Sequence, residues 1–193
     1  MQLREVLVRA GAPIAVALLG GVIWLWGPWS PLAMDRANAR FAGGDVVGAI
    51  ARYEAVAKGW HTPGTRAEAW RRAGMLRRGQ GDSRGAVRAF EAAADLAPEA
   101  NERAEVLVEL ALLYKHALKD PKSCAEAFEQ AAMDSASGSE DLAAAGCWVE
   151  AGETERALEA LERATARPDT AEAAERAIAA LHGVVGAVAE GEE

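Results

Sequence analysis

The chain has 193 residues, enough for one ordinary domain with additional segments, and its formal net charge is -8. This acidic balance argues against nucleic acid as the main partner. Aromatic residues make up only 6% of the sequence and alanine supplies much of its apolar content, which favours closely packed helices over sheets. Two cysteines, Cys124 and Cys147, are too few for a disulfide framework, and no metal-binding spacing accompanies them.

The first predicted element is an uncharged segment close to the N-terminus. Residues 10–29 contain no charged side chain, and about 20 apolar residues are what a helix needs to cross the hydrocarbon core of a bilayer. Trp24, Trp26 and Trp29 lie at its C-terminal end, where indole rings prefer the lipid–water boundary. We therefore predict a single transmembrane helix over residues 10–29, preceded by a short tail of residues 1–9.

Two other interpretations of this segment are a cleaved signal peptide and a buried helix of a soluble domain. The apolar core is long for a signal peptide, and helices of globular domains are rarely apolar all round. Arg4 and Arg9 flank the segment closely on its N-terminal side, whereas the next charges beyond it are Asp35 and Arg36. The positive-inside rule then predicts a cytoplasmic N-terminus and a periplasmic domain on a single-pass protein of a bacterial inner membrane.

Beyond this segment one pattern recurs. A small residue precedes a large one by four positions in the pairs Ala49–Tyr53, Ala86–Phe90, Cys124–Phe128 and Ala157–Leu161. The small residues are 37, 38 and 33 positions apart. A glycine–acidic dipeptide precedes the first, second and fourth pairs, and Asp120–Pro121 precedes the pair Cys124–Phe128. Such a dipeptide ends one helix and caps the next, and residues four apart share a helix face. The pattern predicts helical hairpins that stack, because one hairpin cannot bury its apolar face alone.

At these residues the chain resembles the tetratricopeptide repeat (TPR) family. The second unit matches most completely, with Trp70, Gly74, Ala86 and Phe90 at the family's Trp, Gly, Ala and Phe positions. The third and fourth units add Leu110, Tyr114, Cys124, Phe128, Trp148, Ala157 and Leu161, and the first adds Ala49 and Tyr53. The first unit departs from the pattern at Ala33, Arg36 and Arg40, which occupy places that are usually apolar or aromatic.

The composition, the apolar segment and the resemblance together predict an all-α fold. An N-terminal transmembrane helix would be followed by a right-handed α-solenoid of three to four TPR-like helical hairpins and a C-terminal capping helix. Within a repeat region of residues 30–168, the hairpins are expected at about 32–63, 67–100, 104–136 and 139–168. Residues 169–189 carry apolar residues at helical spacing and form the predicted capping helix. Residues 190–193 are a predicted flexible tail.

The resemblance also implies a binding site, because the family usually holds its partners on a concave face lined by the first helix of each hairpin. Transferred residue by residue, the lining would be Glu68, Arg71, Met75, Arg78, Glu105, Val108, Leu112, Lys115, His116, Leu142, Gly146 and Val149. Such a groove would be basic at one end and apolar along its floor, and would suit an extended or helical peptide with a carboxylate. The alternative is that the arginines only solvate an alanine-rich helix. The family's co-chaperones hold a terminal carboxylate with basic residues and an Asn; Met75 stands where that Asn would be, so that mode is not expected.

No pattern in the sequence indicates catalysis. His61, His116 and His182 lie in different units without a carboxylate or thiol at motif spacing, and the motifs of phosphate loops, serine hydrolases and zinc proteases are missing. We expect no enzymatic activity, no cofactor and no metal. Cys124 and Cys147 fall in consecutive helices, so they could form a disulfide in an oxidising compartment or be two small core residues.

The expected function is that of a membrane-anchored scaffold or adaptor that binds other proteins or peptides in assembly or translocation on the periplasmic side. In layout the chain is similar to anchored periplasmic repeat proteins that accompany the secretion translocon, and to those that present apocytochromes for haem attachment. Layout alone does not choose between them. The alternative is a small accessory (supernumerary) subunit of a larger membrane protein complex.

Overall fold

The computed structural model describes residues 32–190, and their side chains as far as residue 183. These residues form α-helices and one π-helical turn and contain no strand. The predicted N-terminal tail, the predicted transmembrane helix at residues 10–29 and residues 191–193 lie outside the described part of the chain. Among the helices of residues 32–190, none has the length and apolar content needed to cross a bilayer.

The described helices are arranged as four hairpins followed by one closing helix. In chain order they are α1 (Ala33–Ala42), α2 (Val46–Lys58), α3 (Pro63–Gly79), α4 (Ser83–Leu96), α5 (Ala100–Leu113), α6 (Pro121–Asp134), α7 (Ser139–Glu150), α8 (Thr154–Thr165) and α9 (Ala171–Glu190). Each helix packs on its neighbours in sequence. This is the layout of an α-solenoid, in which every unit contacts mainly the next one.

The recurring small and large residues occupy equivalent interior positions in the second helices α2, α4, α6 and α8. The four small residues are fully buried and the four large ones expose at most 6% of their surface; they are Ala49, Ala86, Cys124 and Ala157, with Tyr53, Phe90, Phe128 and Leu161. The prediction that each pair fills the core of its hairpin is therefore confirmed.

The small residues are needed because the two helices of a hairpin lie close together. At Gly74 in α3, a Cβ atom would lie only 3.0 Å from the nearest ring carbons of Phe90 in α4. That separation is shorter than an ordinary carbon–carbon contact of about 3.5–4.0 Å. The glycine at this position of the repeat pattern therefore allows the backbone of α3 to pack directly against the Phe90 ring.

The turns inside three of the hairpins depend on a residue with positive φ. Glycine supplies it at φ values of 82°, 78° and 77°, at Gly44, Gly81 and Gly152. In two of these turns the next residue caps the second helix: the Asp82 carboxylate accepts a hydrogen bond from the Gly85 N–H at 2.9 Å. Asp45 accepts in the same way from the Gly48 N–H at 2.8 Å. These glycines have no Cβ to clash in the left-handed region, so the chain reverses there without strain.

The third hairpin has one extra residue between its helices and absorbs it in a different way. The first helix continues as a π-helical turn over Tyr114–Leu118, and Lys119 takes the left-handed conformation at φ 55°. The Asp120 carboxylate then caps α6 by accepting from the Ser123 N–H at 3.1 Å. A π-turn holds one more residue than an α-turn, so the register of α5 against α6 is preserved.

The first unit forms a hairpin in spite of its departures from the family pattern. Ala33 and Ala37 of α1 are buried, and Arg40, at a usually aromatic place, donates to Asp45 across the turn at 2.7 Å. Arg77 stands at the same place of the second unit and pairs with Asp82. Both units therefore carry an arginine–aspartate pair across the turn.

A disulfide joins the third unit to the fourth. Cys124 in α6 and Cys147 in α7 are bonded, with their Cα atoms 6.0 Å apart, and both residues are fully buried. This Cα separation lies within the range of native disulfides. Of the two alternatives left by the sequence, the structure contains the bridge.

Removing the ring of Phe90 should destabilise the solenoid strongly. We expect Phe90→Ala to lower the free energy of unfolding by about 3–5 kcal/mol, because the fully buried ring leaves a cavity between α3 and α4. Val47→Ala is the control, since Val47 is 70% exposed and should change stability by less than about 0.5 kcal/mol. Urea denaturation followed by circular dichroism measures both. Equal losses in the two variants would contradict the assigned core.

Candidate protein-binding face

An apolar stripe crosses the exposed sides of the first helices. Met75 in α3, Leu112 in α5 and Val149 in α7 are 37%, 37% and 48% exposed, and they follow one another at intervals of 37 residues. We call the exposed side of these three helices the first-helix face. Scattered exposed apolar residues are ordinary, but a connected row rimmed by polar groups is typical of interaction sites. These three residues belong to the lining predicted from the sequence.

The stripe ends in an apolar cleft between α7 and the closing helix α9. The cleft holds about 340 Å³ and is lined by Leu142, Ala145, Gly146, Val149, Leu161, Ala177, Ala180 and Leu181. A Cβ added at Gly146 would meet no atom within 4 Å, so this glycine keeps the floor of the cleft open. Pockets of this size hold a few side chains of a partner. Leu142, Gly146 and Val149 were predicted as lining, whereas the contribution of α9 was not.

The arginines at the N-terminal end of the face are held by carboxylates. Glu68 accepts a hydrogen bond from Arg71 Nε at 2.8 Å and from Arg72 Nε at 2.6 Å. Arg72 also donates from Nη1 to the Asn38 side chain in α1 at 2.8 Å. This cluster ties the first hairpin to the second and neutralises part of the positive charge that the sequence places here.

Two further ion pairs connect successive first helices. Arg78 in α3 pairs with Glu109 in α5, and Lys115 in the π-helical turn lies 3.0 Å from the Glu150 carboxylate at the end of α7. Such partly exposed pairs contribute about 0–1 kcal/mol each to stability, so a partner's charges can replace them at little cost. Arg71, Arg78 and Lys115 are thus paired with carboxylates of the face, and its apolar stripe is exposed.

The remaining predicted lining residues have different surroundings. Val108 is half-buried and packs against the core, so it supports the floor from below. His116 is exposed and lines a small polar depression with Lys115, Lys119 and Glu150. Within residues 32–190, no group of three His, Cys, Asp or Glu side chains could hold a metal ion.

The opposite side of the solenoid carries a network that the sequence did not reveal. Asp141 in α7 is buried and accepts from Arg163 Nε at 2.9 Å, while Arg163 Nη2 reaches Glu129 at 2.8 Å. The Arg156 guanidinium lies 3.7 Å from the centroid of the buried Trp148 ring. These contacts join α6, α7 and α8. No periodic pattern marks them, because the partners belong to three helices and meet only after the hairpins stack.

The Glu68 cluster affects the ionisation of its carboxyl group. Burial raises the pKa of Glu68, but the hydrogen bonds from Arg71 and Arg72 outweigh burial and bring the pKa below its ordinary value of 4.5. The carboxylate form is therefore favoured in the folded protein, and the cluster stays intact at neutral pH.

Comparison with known proteins supports the fold and leaves the biochemical role open. No family model and no curated protein matches the sequence. Among solved structures, the chain is similar to MamA, with a TM-score of 0.54 and 19% identity over 78% of this chain and 84% of that one. It is also similar to a Podosopora anserina protein described as a kinesin light chain with nearly identical TPR-like repeats, with a TM-score of 0.52 and 18% identity over 83% of this chain and 88% of that one. BtubC (BKLC) from P. vanneervenii matches with a TM-score of 0.50 and 20% identity over 68% of this chain and 59% of that one.

These similarities define the class of protein. The helical hairpins, their buried small–large pairs and the solved neighbours identify the fold as a TPR-like α-solenoid. The identities are too low to transfer a partner or an activity, since unrelated functions share such folds. A stack of such repeats presents an extended surface along its successive hairpins.

Acid should weaken the protein through Glu68. Because the folded-state pKa lies below the ordinary 4.5, the stabilisation is present above that value and is lost as the pH falls through the folded-state pKa. We expect Glu68→Gln to show a smaller loss of stability than wild type when the pH is lowered from 7 to 3. Urea midpoints at each pH measure this loss. If Glu68→Gln loses as much stability as wild type over this pH range, the assigned role of Glu68 is wrong.

Proposed function

We propose that this chain is a membrane-anchored scaffold or adaptor that binds a segment of another protein along the first-helix face, on the periplasmic side of a bacterial inner membrane. The observation that carries the proposal is the exposed apolar stripe that runs through Met75, Leu112 and Val149 into the cleft beside α9. We assign it an assembly or translocation-associated role.

The spacing of the stripe describes the partner. Packed helices lie about 10 Å apart, and the stripe offers one large apolar residue on each first helix. A partner helix rises about 1.5 Å per residue, so apolar residues seven positions apart would match successive first helices. A segment in the polyproline II conformation rises about 3.1 Å per residue with three residues per turn, so every third residue would match. Ion pairs beside the stripe provide polar contacts to the partner's backbone or charged side chains.

The compartment is supported by the disulfide. Disulfides persist in the periplasm and other oxidising environments and are rare where thioredoxin and glutathione keep thiols reduced. The bridge between Cys124 and Cys147 agrees with the orientation that Arg4 and Arg9 favour for the predicted transmembrane helix. The sequence and the repeat domain thus favour the same side of the membrane.

Partner capture should depend on the stripe. We expect Leu112→Asp and Val149→Asp each to reduce partner recovery by about tenfold or more, because a buried carboxylate would face the partner's apolar residues. Met133→Asp is the matched control, since Met133 is 83% exposed but lies on the second helix α6. The measurement is quantitative recovery of co-purifying proteins with the full-length chain from detergent-solubilised membranes.

The same purification separates the alternatives. Equal recovery with Leu112→Asp and Met133→Asp would exclude the first-helix face as the binding site. A fixed stoichiometric set of partners would favour the accessory-subunit alternative over a scaffold for transient clients. The double variant Arg71→Ala with Arg78→Ala tests the predicted recognition of a carboxylate: if its recovery equals wild type, the arginines act only within their pairs with Glu68 and Glu109.

The proposed transmembrane helix and the Cys124–Cys147 disulfide predict on which side of the membrane the repeat domain lies. We expect a reporter fused after Glu193 to be active in its periplasmic form and inactive in its cytoplasmic form, in a bacterial host. In the same cells Cys124 and Cys147 should react with maleimide under denaturing conditions only after reduction. Cytoplasmic reporter activity would reverse the proposed orientation, and freely reactive thiols would remove the support given by the disulfide.

A further inference from the structure

The start of the repeat domain and the loop between its first two hairpins lie at the same edge of the solenoid. Ala33 at the start of α1, Val56 and Ala57 near the end of α2, and Ala69 of α3 form one buried cluster. Leu32 and residues 58–62 therefore lie together at this edge, which we call the entry edge. The turns inside the hairpins lie at the opposite edge, about 15 Å away, because α1 has 10 residues that each rise about 1.5 Å.

The entry edge exposes a tryptophan. Trp60 is 93% exposed, more than any other large apolar side chain of the described residues, and Leu32 beside the same edge is 45% exposed. An indole ring has a large apolar body and one N–H donor, and it is enriched where one side of a protein meets lipid and the other meets water. Nothing in the packing of the repeats accounts for a tryptophan in this loop.

The charge of the entry edge differs from that of the later loops. No carboxylate occurs between Glu54 and Glu68, whereas this stretch includes Lys58 and Arg66. The first turn of α1, at the same edge, adds one carboxylate, Asp35, and one cation, Arg36. The Lys58 side chain is 64% exposed although its Nζ lies 3.4 Å from Glu54. The loops between the later hairpins contain or adjoin carboxylates, at Glu99, Asp134, Glu140 and Asp169, which outnumber the nearby cations Arg103 and Arg167. An anionic surface would therefore attract the first loop and repel the later ones.

The chain that precedes the repeats also starts from this edge. The apolar segment ends at Trp29 and α1 begins at Ala33. Three intervening residues span at most about 10 Å even when fully extended. If the apolar segment crosses the membrane, as the proposed function requires, the entry edge is held within that distance of the lipid headgroups.

We propose that the entry edge docks on the surface of the lipid bilayer, with the Trp60 indole in the interfacial layer and Lys58 among anionic headgroups. The first hairpin then lies at the membrane, and the following hairpins, with the apolar stripe, extend away from it. The later, acidic loops turn away from the surface. This inference rests on the proposed membrane anchor and adds to it a fixed orientation of the binding face.

Intrinsic fluorescence tests the docking on the full-length chain. The protein is reconstituted in vesicles of phosphatidylcholine and phosphatidylglycerol, with or without bromine on the acyl chains as a quencher. Subtracting the emission of Trp60→Phe from that of wild type isolates Trp60. Val47→Trp is the matched control, because Val47 is also exposed but lies at the start of α2, at the opposite edge. The emission of the added tryptophan is obtained by subtracting the wild-type spectrum from the spectrum of Val47→Trp.

We expect the Trp60 emission to be blue-shifted and to lose at least about half its intensity in brominated vesicles, and the Val47→Trp emission to be red-shifted and unquenched. Red-shifted, unquenched Trp60 emission would overturn the docking, and so would equal quenching at both edges. Flotation of the vesicles separates this failure from failure of the anchor. A chain that does not float with the lipid contradicts the proposed function itself, whereas a chain that floats with an unquenched Trp60 contradicts only the docked orientation.

Discussion

The close approach of the two helices in each hairpin is the constraint on which the rest of the molecule depends. Phe90 lies so near the backbone of α3 that Gly74 has no room for a relaxed side chain. In every hairpin a fully buried small residue lies one turn before the large one. Because apolar burial contributes about 25 cal/mol per Å², this interlocked packing is what holds four short hairpins in a continuous stack.

Stacking has a consequence for the first helices. Each first helix packs with one side on its own second helix and meets the preceding hairpin with another, which leaves a third side exposed. Met75, Leu112 and Val149 occupy that third side. The ion pairs Arg78–Glu109 and Lys115–Glu150 join successive first helices across it. The result is a surface that is apolar along its middle and polar at its margins, as protein-binding surfaces commonly are.

The two ends of the solenoid differ in the interactions that join their helices. At the C-terminal end a disulfide and the buried Asp141–Arg163 pair join α6, α7 and α8. At the N-terminal end the first hairpin is joined to the second by Arg72 with Asn38, Arg77 with Glu54 and Arg66 with the Ala57 carbonyl. The proposed contact of the entry edge with lipid would add an external support at the end of the described stack that carries no disulfide.

The sequence by itself determined the helical hairpins, their order and their buried residues. These features are local: the small–large pairs are four residues apart, and the turn glycines and capping aspartates are adjacent in the chain. The departures of the first unit at Arg36 and Arg40 left its hairpin undecided. The structure forms that hairpin with Ala37, Ala49 and Tyr53 buried between its helices, and the exposed Arg40–Asp45 pair spans its turn.

Only the tertiary structure decided which charges are paired, how the extra residue of the third turn is absorbed, and that the two cysteines are bonded. Arg78 and Glu109 are 31 residues apart, Arg72 and Asn38 are 34 apart, and the cysteines are 23 apart. Helical periodicity assigns a side chain to a face of its own helix. Whether it reaches a partner on another helix depends on the distance and rotation between hairpins, and those are set by packing of the whole stack.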